Sequence, residues 1–323
     1  MYATKEEQID WAGAKVIEGM PIDEYHARPE LSSSQLKLIN KSIRHWRDDQ
    51  ENPKETIDCM RLGNLVHALV LEPEEVSKRY AEPFMAPKNA LSKVDDIRAY
   101  IRDKELHNHP SKLKKDELLE LLKEKDQDAP VLCLMQEKYE RQHVGKEFVT
   151  PAMMEQAQFL AKAIESHRMS KVLLSGGKPE LSVFGELEGV PVRVRADYLH
   201  PAAIVDIKTC RDEVSVERFS RTAVDLGYYL SAALYMHVIA QQTGMERPFV
   251  FCAIHKATGY VAYHKIEWGS EAHSYGLQLC CNALERYKQW QAGDKSLEEF
   301  AYGSKITDLE VPKYELNKIM GVR

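Results

Sequence analysis

The stretches Arg195-Ala196-Asp197 and Ile204-Val205-Asp206-Ile207-Lys208-Thr209 constrain this chain more than any others. Both read as short apolar strands, and each carries one acid. His200-Pro201-Ala202-Ala203 between them is short enough to fold them back as a hairpin. Residues i and i+2 of a strand share a face, so Asp206 and Lys208 point one way while Val205 and Ile207 point the other. The hairpin then brings Asp197 close to Asp206. Neighbouring carboxylates repel unless a cation neutralises them, and their oxygens are what Mg²⁺ or Mn²⁺ prefers. A lysine beside such a metal suits phosphate chemistry, where it holds a water or offsets charge on the phosphoryl centre. The plainer alternative has both acids ending strands and Lys208 solvated at an edge. Against it, Asp206 lies inside Ala202-Ala203-Ile204-Val205-Asp206-Ile207, a run that reads as buried, where an unpaired charge is unfavourable.

A third acid precedes these two. Glu180 opens the alternating segment Glu180-Leu181-Ser182-Val183-Phe184, followed by Gly189-Val190-Pro191-Val192-Arg193-Val194-Arg195. The order is therefore acid, hairpin, acid, hairpin, D-x-K. That order resembles the PD-(D/E)xK nuclease superfamily. Met60-Arg61-Leu62-Gly63-Asn64-Leu65-Val66-His67-Ala68-Leu69-Val70-Leu71-Glu72-Pro73 is similar to the helix that carries a metal-binding histidine in the exonuclease VIII (RecE-type) branch. Tyr25-His26-Ala27 and Leu31-Ser32-Ser33-Ser34-Gln35-Leu36 are similar to the opening of those phage and prophage proteins. The resemblance runs over most of residues 20–90 and 145–300. One departure stands out. Where relatives carry Gln-x-x-x-Tyr after D-x-K, this chain reads Ser231-Ala232-Ala233-Leu234-Tyr235.

The resemblance implies an α/β fold, with a mixed central β-sheet flanked by helices in the restriction-endonuclease-like manner. It implies Mg²⁺-dependent removal of one strand of linear duplex DNA from its ends, 5′→3′, with Mn²⁺ as substitute metal. It further implies a homo-oligomer, in the family a ring, that hands single strands to an annealing protein for recombination. Asp197, Asp206, the Ile207 carbonyl and His67 are the implied metal ligands, with Lys208 at the water and Glu180 beside the metal. Tyr235 and Ser231 are placed near the substrate phosphate. Arg193 and Arg195 alternate on one strand face and are candidates for the DNA backbone or for ordinary strand-surface charge. His67 on its own reads more readily as a hydrogen-bonded core histidine, and the RecE-type resemblance reverses that order. Two rivals stay open: a structure-specific or endonucleolytic member of the superfamily, and a DNA-binding or assembly protein without turnover.

With 44% hydrophobic and 29% charged residues, 323 residues can bury one substantial core or two modest ones. No apolar run approaches the ~20 residues of a membrane span, and the N-terminus lacks a signal-peptide core, so a cytoplasmic protein is expected. Cys59, Cys133, Cys210, Cys252, Cys280 and Cys281 form no C-x-x-C pair, which argues against zinc, iron–sulfur clusters and disulfides. A net charge of −6 confines any DNA contact to a local basic patch.

Three parts are expected along the chain: residues 1–90, an N-terminal helical part carrying His67; 91–130, a helical-hairpin insertion; and 131–323, the nuclease core. Residues 1–19 read as helical or loose. Ser32 or Ser33 caps the first clear helix. In the insertion, Val94 to Arg102 and Lys114 to Lys125 read as amphipathic helices, the second capped by Ser111. Its lysine-rich entry, Lys112, Lys114 and Lys115, resembles SAP or HeH-type DNA-binding hairpins, and a solvated helical decoration is the alternative. Downstream, Tyr228–Gln242 and 270–292 read as long helices around a hairpin turning at Thr258-Gly259. The tail to Arg323 reads as irregular.

Overall fold

A computed structural model describes residues 15–52, 57–299, 301–302, 306, 308–311, 316 and 319. The first elements are β1 (Val16–Ile17), α1 (Ile22–Ala27), β2 (Leu31–Ser32), α2 (Ser33–Lys41) and α3 (Ile43–Glu51). Next come α4 (Asp58–Leu71), α5 (Val76–Arg79), β3 (Tyr80–Ala81), α6 (Val94–Asp103), α7 (Lys115–Lys125), α8 (Leu132–Gln142), β4 (Glu147–Phe148) and α9 (Pro151–Ser166). The remainder is α10 (Arg168–Leu173), β5 (Lys178–Leu187), β6 (Val190–His200), β7 (Ala203–Cys210), α11 (Val216–Asp225), α12 (Tyr228–Thr243), β8 (Phe249–His255), β9 (Val261–Ile266) and α13 (Glu271–Gln291). Two compact units emerge, one of residues 1–57 with 164–323 and one of residues 58–163.

The first unit is built on a mixed sheet in the order β1-β5-β6-β7-β8-β9, with β2 added parallel to β6. The β5–β6 hairpin turns through Glu188 and Gly189 at φ 52° and 77°. Two successive positive φ angles match the right-handed twist of the flanking strands. β6 pairs antiparallel with β7, and β7 pairs parallel with β8. Held on both sides, β7 is buried from Ala203 to Ile207, as suits a central strand. One face takes α12, whose Tyr228 stacks on Phe251 and whose Tyr235 meets Phe249 edge-on. The alternate face takes α10, where Ser170 hydrogen-bonds the Tyr263 hydroxyl of β9. The expected mixed sheet with helices on its faces is therefore what the chain forms.

Helix α12 is apolar nearly all round because it is covered by the sheet and by α13. Gly276 of α13 makes that crossing possible, since a Cβ there would lie 2.1 Å from the Tyr229 carbonyl oxygen. Helix α2 is fixed at both ends. Ser32 accepts from the Gln35 amide while the Gln35 side chain accepts from Ser32, a reciprocal cap worth ~1 kcal/mol. At its other end Arg286 donates to the carbonyls of Ile39 and Asn40, a favourable place for a cation.

The second unit has a small core of its own around Ile97, Ile101, Leu118, Leu122, Val131 and Leu134. Helices α6 and α7 form as expected, although Ser111 lies in a 3-10 turn rather than at the cap. The Glu117 carboxylate instead accepts from the Lys114 amide, 2.6 Å away. The two ends of this segment meet. Leu91 donates to Pro130, Leu132 donates to Leu91, and Leu91 bridges Val131 in parallel.

At the N-terminus, residues 1–14 lie outside the described residues, and Val16–Ile17 is an edge strand against β5 rather than helical or loose. A two-residue strand carries too little pattern to announce itself. The expected irregular tail lies largely outside the described residues. Among them, no single helix is long and apolar enough to cross a membrane.

Candidate active site

The three acids arrive on adjacent strands at one level of the sheet. In the β5–β6 ladder Pro179 faces Tyr198 and Leu181 faces Ala196, which sets Glu180 opposite Asp197. The β6–β7 ladder runs up to Tyr198 opposite Val205 and stops. Beyond it, the Asp197 carboxylate takes the Ile207 backbone N–H at 2.7 Å. A side chain thus replaces a ladder bond where the hairpin opens. Glu180 has φ 49°, a left-handed conformation that side chains larger than glycine seldom adopt and that gathers at functional sites. Carboxylate oxygens of Glu180 and Asp197 lie within 4.8 Å of each other. Arg195 steadies Glu180 through Nε at 2.7 Å.

Asp206 and Lys208 share a face of β7, and Lys208 Nζ lies 2.5 Å from Asp206 Oδ2. Asp206 is only 8% exposed. Burial by itself would lower the Lys208 ammonium, but Asp206 and Asp197 outweigh it and hold the group above its ordinary range. The two carboxylates thus favour the ammonium form of Lys208. Its ammonium sits 5.7 Å from the centre of the Tyr228 ring. Burial pushes the Tyr228 hydroxyl up to about 12, with Lys208 opposing and Asp206 assisting. The Tyr235 hydroxyl is raised well above its ordinary value, mainly by burial, and bonds the Arg195 backbone.

A second lysine reaches this place from α2. Lys37 Nζ lies 5.3 Å from the centre of the same Tyr228 ring. Burial first, and then the Lys208 charge, pull its pKa down to about 8 against the attraction of Asp206. Nothing in the sequence separates Lys37 from other helix-surface lysines, because its neighbour Tyr228 is 191 positions away along the chain.

Arg193 and Arg195 depart from expectation. Arg193 is 3% exposed and donates to the backbone carbonyls of Arg28, Glu30 and His26. Arg195 is committed to Glu180 and to the Met20 carbonyl. Their shared strand face is covered by the segment that follows β1, so they tie that segment to the sheet instead of reaching a DNA backbone. Ser231 lies half-buried one turn before Tyr235 on α12. His67 is half-buried on α4 of the second unit, and Lys112, Lys114 and Lys115 are exposed at the entry to α7.

The family model for a PDDEXK-like domain of unknown function (DUF3799) matches residues 32–299. The chain belongs to this family. The PDDEXK-like assignment bears out the superfamily read from the acid–hairpin–acid–hairpin–D-x-K order, and it points to a nuclease. Among solved structures, a protein of Eubacterium rectale described as a "putative exonuclease" is 15% identical. The match covers 98% of each chain at a TM-score of 0.51, a likeness of fold alone. SSO0001 overlaps 71% of this chain and 88% of its own at 12% identity, with a TM-score of 0.28. No curated protein matches the PDDEXK-like chain.

The donor set fits the divalent metal on which PDDEXK nucleases generally depend. Hard carboxylate oxygens from two strands converge, and a neighbouring cation balances the third acid.

Proposed function

We propose that this protein is a divalent-metal-dependent deoxyribonuclease that removes one strand of linear duplex DNA from its ends. The observation that carries the reading is the alignment of Glu180, Asp197 and Asp206 across three neighbouring strands, with Lys208 on the Asp206 carboxylate. The exonuclease name of the Eubacterium rectale protein and the RecE-type motifs favour end-directed attack.

Asp197, Asp206 and Glu180, with the Ile207 carbonyl and His67 as further ligands, would hold Mg²⁺ or Mn²⁺, which supplies charge stabilisation and lowers the pKa of water from about 15.7 towards neutrality. His67 enters on the RecE-type resemblance. Lys208, held as a cation by Asp206 and Asp197, binds and orients the scissile phosphate and offsets charge as it builds. Tyr235 and Ser231 flank that phosphate from α12. Arg195 positions Glu180 and so acts through it. Polarity from the 5′ end, a ring of subunits and delivery to an annealing protein complete the reading drawn from the resemblance.

The test is incubation of purified protein with linear duplex, nicked circle and closed circle, with Mg²⁺ or with EDTA. Mg²⁺-dependent loss of the linear form alone, with mononucleotides released from one labelled end, is the expected result. Cleavage of the closed circle would replace this reading with an endonuclease. Tight DNA binding without cleavage under any metal would replace it with a binding protein.

A further inference from the structure

Two lysines share one tyrosine in this site, and only one of them has a counter-ion. Lys208 is paired with Asp206. Lys37 has no hydrogen bond or ion pair among the described residues, and its ammonium lies 5.3 Å from the centre of the Tyr228 ring. Helix α2 is pinned by its reciprocal cap and by Arg286, which fixes the point from which the Lys37 side chain extends. Its stem lies along Gly227, where a Cβ would come within 3.2 Å of Lys37 Cγ and 3.3 Å of Cδ. Gly227 also has φ 64°, so this bend between α11 and α12 leaves the groove for the lysine stem. A half-buried cation without a contacting anion is unfavourable, and burial is the first cause of its lowered pKa. A surface lysine would not be built this way. Among the described residues no anion contacts Lys37, Asp206 attracting it only from beyond ion-pair distance, and the reaction read above brings phosphates to that place.

We propose that Lys37, seated on Tyr228, forms a second phosphate subsite beside Lys208 and grips a DNA backbone phosphate next to the scissile one. The proposal rests on the nuclease reading and names a residue that its motifs do not include. Tyr228 contributes its ring face, which favours a cation, while the ammonium hydrogens point on to a non-bridging phosphate oxygen. Lys208 serves the reacting phosphate and Lys37 holds the strand.

The test measures binding of a short linear duplex in EDTA over a salt series, with the full chain as wild type, Lys37→Met, Lys37→Gln and Lys37→Arg. Both neutral variants are expected to bind roughly tenfold more weakly at low salt. Their slope of log K against log salt should be lower by about one, the signature of one lost phosphate contact. Lys37→Arg should recover both. Melting temperatures are followed in parallel. A neutral variant with wild-type affinity and slope overturns the subsite, as does a lowered melting temperature with an unchanged slope. Mg²⁺-dependent cleavage by the wild type separates the two readings. If it cleaves and the neutral variants bind as well as it does, the subsite alone falls. If it neither binds nor cleaves, the nuclease reading falls first.

Discussion

Asp206 and Lys208 depend on each other. Removing either leaves its partner charged and buried, whereas removing both leaves neither. Asp206→Ala and Lys208→Ala are each expected to abolish Mg²⁺-dependent nuclease activity and to destabilise the fold by a few kcal/mol. The double substitution Asp206→Asn with Lys208→Met should be equally inactive but closer to the wild type in stability. Activity assays with urea unfolding of the three variants check this. Near-wild-type turnover in either single variant removes these residues from the chemistry. Independent losses that simply add would show that the contact between the two side chains contributes nothing. This pair was legible in the sequence because period two in a strand fixes which residues share a face. The fates of Arg193 and Arg195 were not legible. The strand pattern gives a face but not its cover, and the cover is a segment more than 160 positions upstream.

At the scale of elements, local patterns were strong wherever a helix or strand was long. Helices α6, α7, α12 and α13 lie within a few residues of where periodicity put them, and the D-x-K strand is central and buried as its apolar run implied. Two-residue strands and the left-handed turn at Glu180 carry no period to read. The segment between Leu91 and Val131 has its own small core and ends that meet. Deleting residues 92–128 and closing the gap with a short glycine–serine link should therefore leave the sheet unit folded. If Lys112, Lys114 and Lys115 grip phosphates, the deletion weakens DNA binding and lowers the salt slope by up to about three, with cleavage at saturating DNA retained. An unchanged slope would mark the segment as a solvated decoration. The α12–α13 crossing gives a second test. Gly276→Ala pushes a methyl into the Tyr229 carbonyl and should cost about 1–3 kcal/mol, read as a lowered melting temperature. No change would mean that the two helices can part freely.

For the whole molecule, pH and thiol chemistry report on burial. Burial lowers the pKa values of His26, His200 and His273, with nearby arginines adding to the effect at His26 and His200 and His237 adding to it at His273. A depressed folded pKa means that the unfolded chain takes up protons first as pH falls. The stability these residues contribute is complete above their unfolded pKa of about 6.5 and is lost as pH drops through their lower folded values. The melting temperature should thus decline from pH 7 to pH 5, and a flat profile would contradict these lowered values. Of the six cysteines, Cys59 is exposed, Cys133 and Cys281 are half-buried, and Cys210, Cys252 and Cys280 are buried. Burial also pushes the Cys210 thiol up to about 11. Alkylation at pH 8 should therefore modify Cys59 first and leave Cys210, Cys252 and Cys280 until the chain unfolds. Early loss of Cys252 would mean that β8 is accessible in the native state.

The row of acids ties the site to the pairing of three strands. A slip of one residue in either hairpin would turn every side chain of the moved strand to the opposite face. Glu180 would then no longer meet Asp197, or Asp197 would leave the amide of Ile207. A misregistered molecule would turn Glu180, Arg193 and Arg195 towards the apolar side, yet its strands would still pair through their backbones, and conventional measures of secondary structure would pass it. The activity of a refolded sample, divided by its protein concentration, is then a headcount of correctly aligned hairpins.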